Sequence, residues 1–223
     1  MKLAVVLFNL GGPDSLEAVE PFLRNLFGDP AILSLPWIVR WPLARIIARR
    51  RAPFARDIYA KIGGSSPIVA ETRAQADALD KVLAQSGLDA KCFIAMRCWH
   101  PFSDGAALAV KAWGADRIVL LPLYPQYSTT TSASSLADWK RAARKAALEG
   151  PTSEICCYPD HADFIAAAAE LIQVALKARK PGVAYLLLLP AHGLPNGRVD
   201  RETPPTGQDE PTAQGTSVGY GRG

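Results

Sequence analysis

"KLAVVLFNLGGP", residues 2–13, decides the fold. Leu3 to Phe8 are all apolar, with no alternation between greasy and polar positions. A strand with one wet face alternates; an unbroken apolar run that stops at a turn reads as a strand covered on both faces. Gly11-Gly12-Pro13 supplies the turn. Working outward, the same texture returns at 91–97 ("KCFIAMR"), 117–124 ("RIVLLPLY"), 154–159 ("EICCYP") and 183–190 ("VAYLLLLP"). Helical spacing fills the gaps at 15–27, with Ser15 as the cap, and at about 103–113, 134–149 and 163–179. Strands alternating with amphipathic helices predict an α/β fold: an open, mostly parallel, doubly wound sheet with helices on both faces.

In such a sheet the ligand site lies outside the carboxyl ends of the strands. Polar residues gather at those ends: Asn9, then Arg97 and His100, then Tyr124 to Ser128, then His161, then His192. The expectation is that all five groups share one rim. At the last of them the apolar run 186–190 delivers His192 into the turn Ala191-His192-Gly193.

Composition narrows the function. The chain has 223 residues, 49% hydrophobic, enough for one sizeable core with or without an appendage. A net charge of +4 is too mild for a dedicated nucleic-acid binder and fits anionic small molecules or a membrane surface. The four cysteines show no CxxC spacing, which argues against a zinc site or disulfide framework. The N-terminal apolar run ends in a turn and not in a cleavage site, so a cytoplasmic location is expected.

Two stretches break the pattern. Residues 32–56 mix Trp37, Ile38, Trp41, Leu43, Ile46 and Ile47 with six arginines. Two readings stand: a helical excursion packed on the domain, or an apolar lip with a cationic border that admits a flat apolar ligand or makes peripheral contact with a membrane through residues 37–47. From Asn196 onward, six glycines and three prolines surround only Val199, Val218 and Tyr220 as core anchors. That composition predicts a domain over 1–195 and a disordered tail over 196–223.

Six motifs, in order, resemble the ferrochelatase family: "LFNLGGPDS" (7–15), "FLRNLFGDPAI" (22–32), "YAKIGGSSPI" (59–68), "MRCWHPF" (96–102), "LPLYPQYSTTTSASS" (121–135) and "AHGLP" (191–195). The resemblance implies one lobe of a two-lobe chelatase and insertion of ferrous iron into protoporphyrin IX to give heme. Iron would then be a substrate, with no permanently bound cofactor. It assigns His192 to iron binding, to accepting pyrrole protons, or to both, work suited to an imidazole near neutral pH. It makes Leu10, Arg51, Tyr59, Ser66, Arg97 and Tyr127 porphyrin-contacting residues, with Arg51 suited to a propionate. His161 matches a histidine sometimes given a catalytic role, but a helix-capping role fits it equally. Gly11, Gly12, Gly63 and Gly64 are expected to serve tight turns or close backbone approach.

The sequence also departs from the family. Cys98 stands where many relatives carry tyrosine, and Pro190 replaces a serine. After "RVDR" (198–201) the resemblance ends, and the second lobe with its cleft glutamate does not follow; Glu202, Asp209 and Glu210 are not assigned that role. These departures lead to the expectation of a truncated or frameshifted product with impaired turnover. Two alternatives remain: a porphyrin-binding remnant without turnover, and a chelatase for another metal or tetrapyrrole.

Overall fold

The structure, a computed structural model, describes residues 1–178. The chain divides into two compact units, Met1–Ile155 and Cys156–Gly223. The expected strand at 183–190, His192 and the tail over 196–223 lie outside the described residues.

The first unit is built on four parallel strands: β1 (Leu3–Asn9), β2 (Ala90–Met96), β3 (Arg117–Pro122) and β4 (Thr152–Glu154). They lie in the order β2-β1-β3-β4, so β1 is central and the chain winds away from it in both directions. Leu3 pairs with both Ala90 and Arg117, and Phe8 with both Ala95 and Pro122, so three strands end at nearly one level. The unbroken apolar run of β1 is buried from Ala4 to Phe8.

Helices cover both faces. On one, α4 (Ser103–Trp113) and α5 (Ser134–Lys145) bring Ala107, Val110, Leu136 and Trp139 onto Val6, Phe8 and Leu120. Trp139 meets Phe8 edge-on at 5.8 Å between ring centres, a favoured aromatic geometry. On the other face, α3 (Ile68–Gln85) sets Ala76, Leu79 and Leu83 against Val5, Leu7 and Ile94. The remaining helices of this unit, α1 (Val19–Gly28) and α2 (Trp37–Lys61), pack on each other beyond the carboxyl end of β2, through Val19, Phe22, Leu23, Ala48 and Ala52.

Several boundaries differ from the sequence reading. Residues 68–85 form a helix that the sequence reading omits; Thr72 and Ala76 are its fully buried positions, with Val69, Leu79 and Leu83 partly buried beside them. The first helix begins at Val19; Ser15 Oγ instead accepts the Ala18 N–H at 3.2 Å and closes the preceding turn. The strand expected at 154–159 is displaced to Thr152–Glu154. Its ladder ends after Ile155 donates to the Leu120 carbonyl at 2.9 Å. The next β3 residue whose nitrogen faces that side is Pro122, which has no N–H to continue the ladder.

In the second unit, α6 (Ala162–Lys177) follows His161 directly. The His161 Nδ1 accepts the Asp163 N–H at 3.3 Å, which makes this histidine the helix cap.

The packing makes a stability contrast. Leu120 is fully buried between α4, α5 and β1, whereas Leu108 on α4 is 58% exposed. Leu120→Ala is expected to cost about 3 kcal/mol in urea unfolding, and Leu108→Ala no more than about 0.5 kcal/mol. Equal costs would show that the two-faced core is misassigned.

Candidate functional site

The strand order places a crevice. β1 connects outward to β2 on one side, and β3 lies on the other, so the loops leaving β1 and β3 diverge at a topological switch point. Asn9 shapes the first loop. Its Oδ1 accepts the Leu10 N–H at 2.9 Å, and its Nδ2 donates to the buried Thr72 Oγ1 of α3 at 3.2 Å. The Arg97 N–H donates to the Asn9 carbonyl and the Cys98 N–H to that of Leu10, which zips the β1 and β2 exits together.

The Gly-Gly-Pro turn then meets the segment after α2. The Ser66 N–H donates to the Pro13 carbonyl at 2.8 Å. A Cβ on Gly12 would collide with both Cβ and Oγ of Ser66, so only glycine lets the two segments close. Gly11 adopts φ +83° with the Trp99 backbone against it, and Gly63 and Gly64 have φ +100° and +86°. The glycines therefore do the work expected of them: close approach at Gly12, left-handed turns at the other three.

Around this junction several sequence-marked side chains converge. Leu10 and Tyr59 pack on the same cluster of Val19, Phe22, Ala52 and Cys98, with Trp99 beside them. Burial pushes the Tyr59 hydroxyl pKa up. The Arg51 guanidinium stands 5.7 Å over the Phe27 ring at the edge of that cluster, with its side chain exposed. Cys98, the departure from the family, is fully buried here, and burial pushes its thiol up to about 12. Tyr127 lies in the loop after β3, half-buried. That loop leads into a single π-turn, Thr129–Ala133, which runs straight into α5.

Arg97 is held more tightly than the sequence suggests. Its Nη2 meets Asp29 Oδ2 at 2.9 Å, and its Nε donates to Ser134 Oγ at 2.7 Å. Ser134 Oγ donates in turn to the same Asp29 oxygen. Sequence reading missed Asp29 and Ser134. Asp29 sits in "GDP", which looks like turn chemistry alone, and its serine partner is 105 residues away.

Of the five groups expected on one rim, the three in the first unit occupy the carboxyl ends of adjacent strands: Asn9, Arg97 with His100, and the Tyr124–Ser128 loop. His161 belongs to the second unit, and His192 lies outside the described residues. Among the described residues no three His, Cys, Asp or Glu side chains are grouped to hold a metal ion.

These features define a doubly wound α/β protein with a ligand crevice at its strand carboxyl ends. A family model described as Ferrochelatase matches residues 2–214. A ferrochelatase of Hyphomonas neptunium is 50% identical, aligned over 96% of this chain and 59% of its own length. One from Pelagibacter ubique is 48% identical over 92% of this chain and 59% of its own length. One from the Wolbachia of Drosophila simulans is 46% identical over 94% and 67%. The chain belongs to the ferrochelatase family. It spans about three fifths of the length of the first two of these curated relatives.

The Gly12–Ser66 closure is testable. Gly12→Ala is expected to cost about 2 kcal/mol in denaturant unfolding through the forced shift of Ser66. In a Ser66→Gly background the same substitution should cost less than half as much. An undiminished cost would show that Ser66 is not the obstacle.

Proposed function

We propose that this chain carries the porphyrin-holding wall of a ferrochelatase, the enzyme that inserts ferrous iron into protoporphyrin IX to give heme. One observation carries the reading. Leu10, Tyr59, Ser66 and Arg97, distant in sequence and each matching a family motif, gather with Arg51 around one end of the sheet. An apolar floor with a guanidinium at its margin suits a flat macrocycle bearing carboxylates. His192 supplies the iron-binding and proton-accepting imidazole in this reading, and iron is a substrate. His161 is read as a helix cap, because its Nδ1 is engaged with the backbone of α6.

The lip forms part of the proposal. α2 buries Ala44, Ala48 and Ala52 but leaves Trp37 71%, Ile38 67% and Trp41 59% exposed. Arg40, Arg45, Arg49 and Arg50 lie along the same helix. Apolar rings beside guanidinium groups suit either the porphyrin face or peripheral contact with an anionic membrane surface. No described helix is long and apolar enough to cross a membrane. We place the protein in the cytoplasm, in part at the membrane surface.

Purified residues 1–223 should bind protoporphyrin IX by fluorescence titration, with Arg51→Ala weakening binding about tenfold. His192→Ala should abolish iron insertion while leaving porphyrin binding largely intact, because rate enhancement needs the proton-accepting imidazole preorganised at the site. Absence of porphyrin binding would sink the reading, and faster insertion of another metal or another tetrapyrrole would redirect it.

Trp37→Ser with Ile38→Ser should weaken binding to porphyrin or to anionic vesicles, with the melting temperature shifted by less than about 2 °C. A large fall in melting temperature would mark these side chains as core.

A further inference from the structure

We propose that Asp29 is a positioning residue: it aims Arg97 into the crevice where, on the reading above, the tetrapyrrole binds. The Asp29 side chain is 2% exposed, yet both of its oxygens are engaged. Oδ1 accepts the Ala31 N–H at 2.8 Å and shapes the turn from α1 toward α2. Oδ2 takes Arg97 Nη2 and the Ser134 hydroxyl. The carboxylate thus joins the root of the lip, the exit of β2 and the first residue of α5, three elements bordering the same end of the sheet.

The consequence for Arg97 is directional. A free arginine samples many rotamers; this one is held at two nitrogens by partners themselves fixed in the fold. Nε is committed to Ser134 and Nη2 to Asp29. Nη1 is the guanidinium nitrogen without a partner among the described residues, and 20% of the side chain stays accessible. A buried carboxylate is costly to desolvate unless its partners are well placed. Here the arrangement fixes which edge of the guanidinium is left for a ligand.

The test is a double-mutant cycle on the full 223-residue chain. Protoporphyrin IX affinity is measured for wild type, Asp29→Asn, Arg97→Gln and the double variant. Each single substitution should weaken binding about tenfold, and the double variant no more than Arg97→Gln alone, since Asp29 acts through Arg97. Additive losses, or an unchanged affinity in Asp29→Asn, would overturn the proposal. A second readout needs no ligand. The Arg97 Nε–H proton, seen by nitrogen-15 NMR, should exchange slowly with water in the wild type and rapidly in Asp29→Asn. Slow exchange in both overturns the positioning role, even if porphyrin binds. The expected acceleration in a protein that binds no porphyrin would sink the functional reading and leave the positioning intact. Should Asp29→Asn fail to fold, Ser134→Ala keeps the charge pair while removing the Nε acceptor. It should speed the same exchange, and unchanged exchange there would again overturn the proposal.

Discussion

Everything at the site depends on β1 being hydrogen-bonded on both sides and buried on both faces. Its register with β2 and β3 fixes the exits of three strands at one level, so that Asn9, Arg97 and Leu123 leave the sheet side by side. A slip of one residue would turn Val6 and Phe8 away from α4 and α5 and expose the wrong set of side chains to each helical layer. The continuous apolar run by itself discriminates weakly between registers, because both faces accept apolar side chains. Parallel pairing adds long crossovers, which here are the helices themselves.

On that fixed rim, closeness is obtained by two opposite means. Between the β1 turn and Ser66 it comes from a missing side chain, since Gly12 leaves no atom to hold the segments apart. Between α1, β2 and α5 it comes from charge, since Asp29 attracts a guanidinium and a hydroxyl from two different elements. The first device is steric and tolerates no substitution by a larger residue. The second is electrostatic and fixes orientation as well as distance. Together they place Leu10, Ser66 and Arg97 relative to one another more firmly than loop residues are usually held.

The strands were legible because burial on two faces writes itself as consecutive Val, Leu and Ile. β1 and β2 could be read to within a residue at each end, and β3 ends two residues before the expected limit. The helix over 68–85 was not legible, although Val69, Leu79 and Leu83 mark its contact face, because the two fully buried positions between them, Thr72 and Ala76, weaken the apolar stripe. β4 was placed too late, because Cys156 and Cys157 look like strand residues while the pairing limit is set by a proline on another strand. The site divides in the same way. Leu10, Tyr59, Ser66 and Arg97 were visible through family motifs. Asp29 and Ser134 lie inside family motifs, but their importance resides in a tertiary contact, and no local pattern encodes a partner 105 residues away.

The α2 segment bears out the reading of residues 32–56 as a helical excursion packed on the domain, and it leaves Trp37, Ile38 and Trp41 exposed on its other side. Ala44, Ala48 and Ala52 recur every fourth residue and are buried, so the helix can approach α1 closely without large side chains intervening. Arg49 and Arg56 add ion pairs to Glu20 of α1 at 3.7 and 4.0 Å, partly exposed and therefore weak. Anchoring thus rests on close packing along the alanine stripe, supplemented by α1 residues such as Val19 and Phe22. None of it requires Trp37, Ile38 or Trp41. A helix whose attachment is complete without its largest apolar residues can present them to solvent without losing its place, and their exposure is then a surface property free to serve ligand or membrane contact.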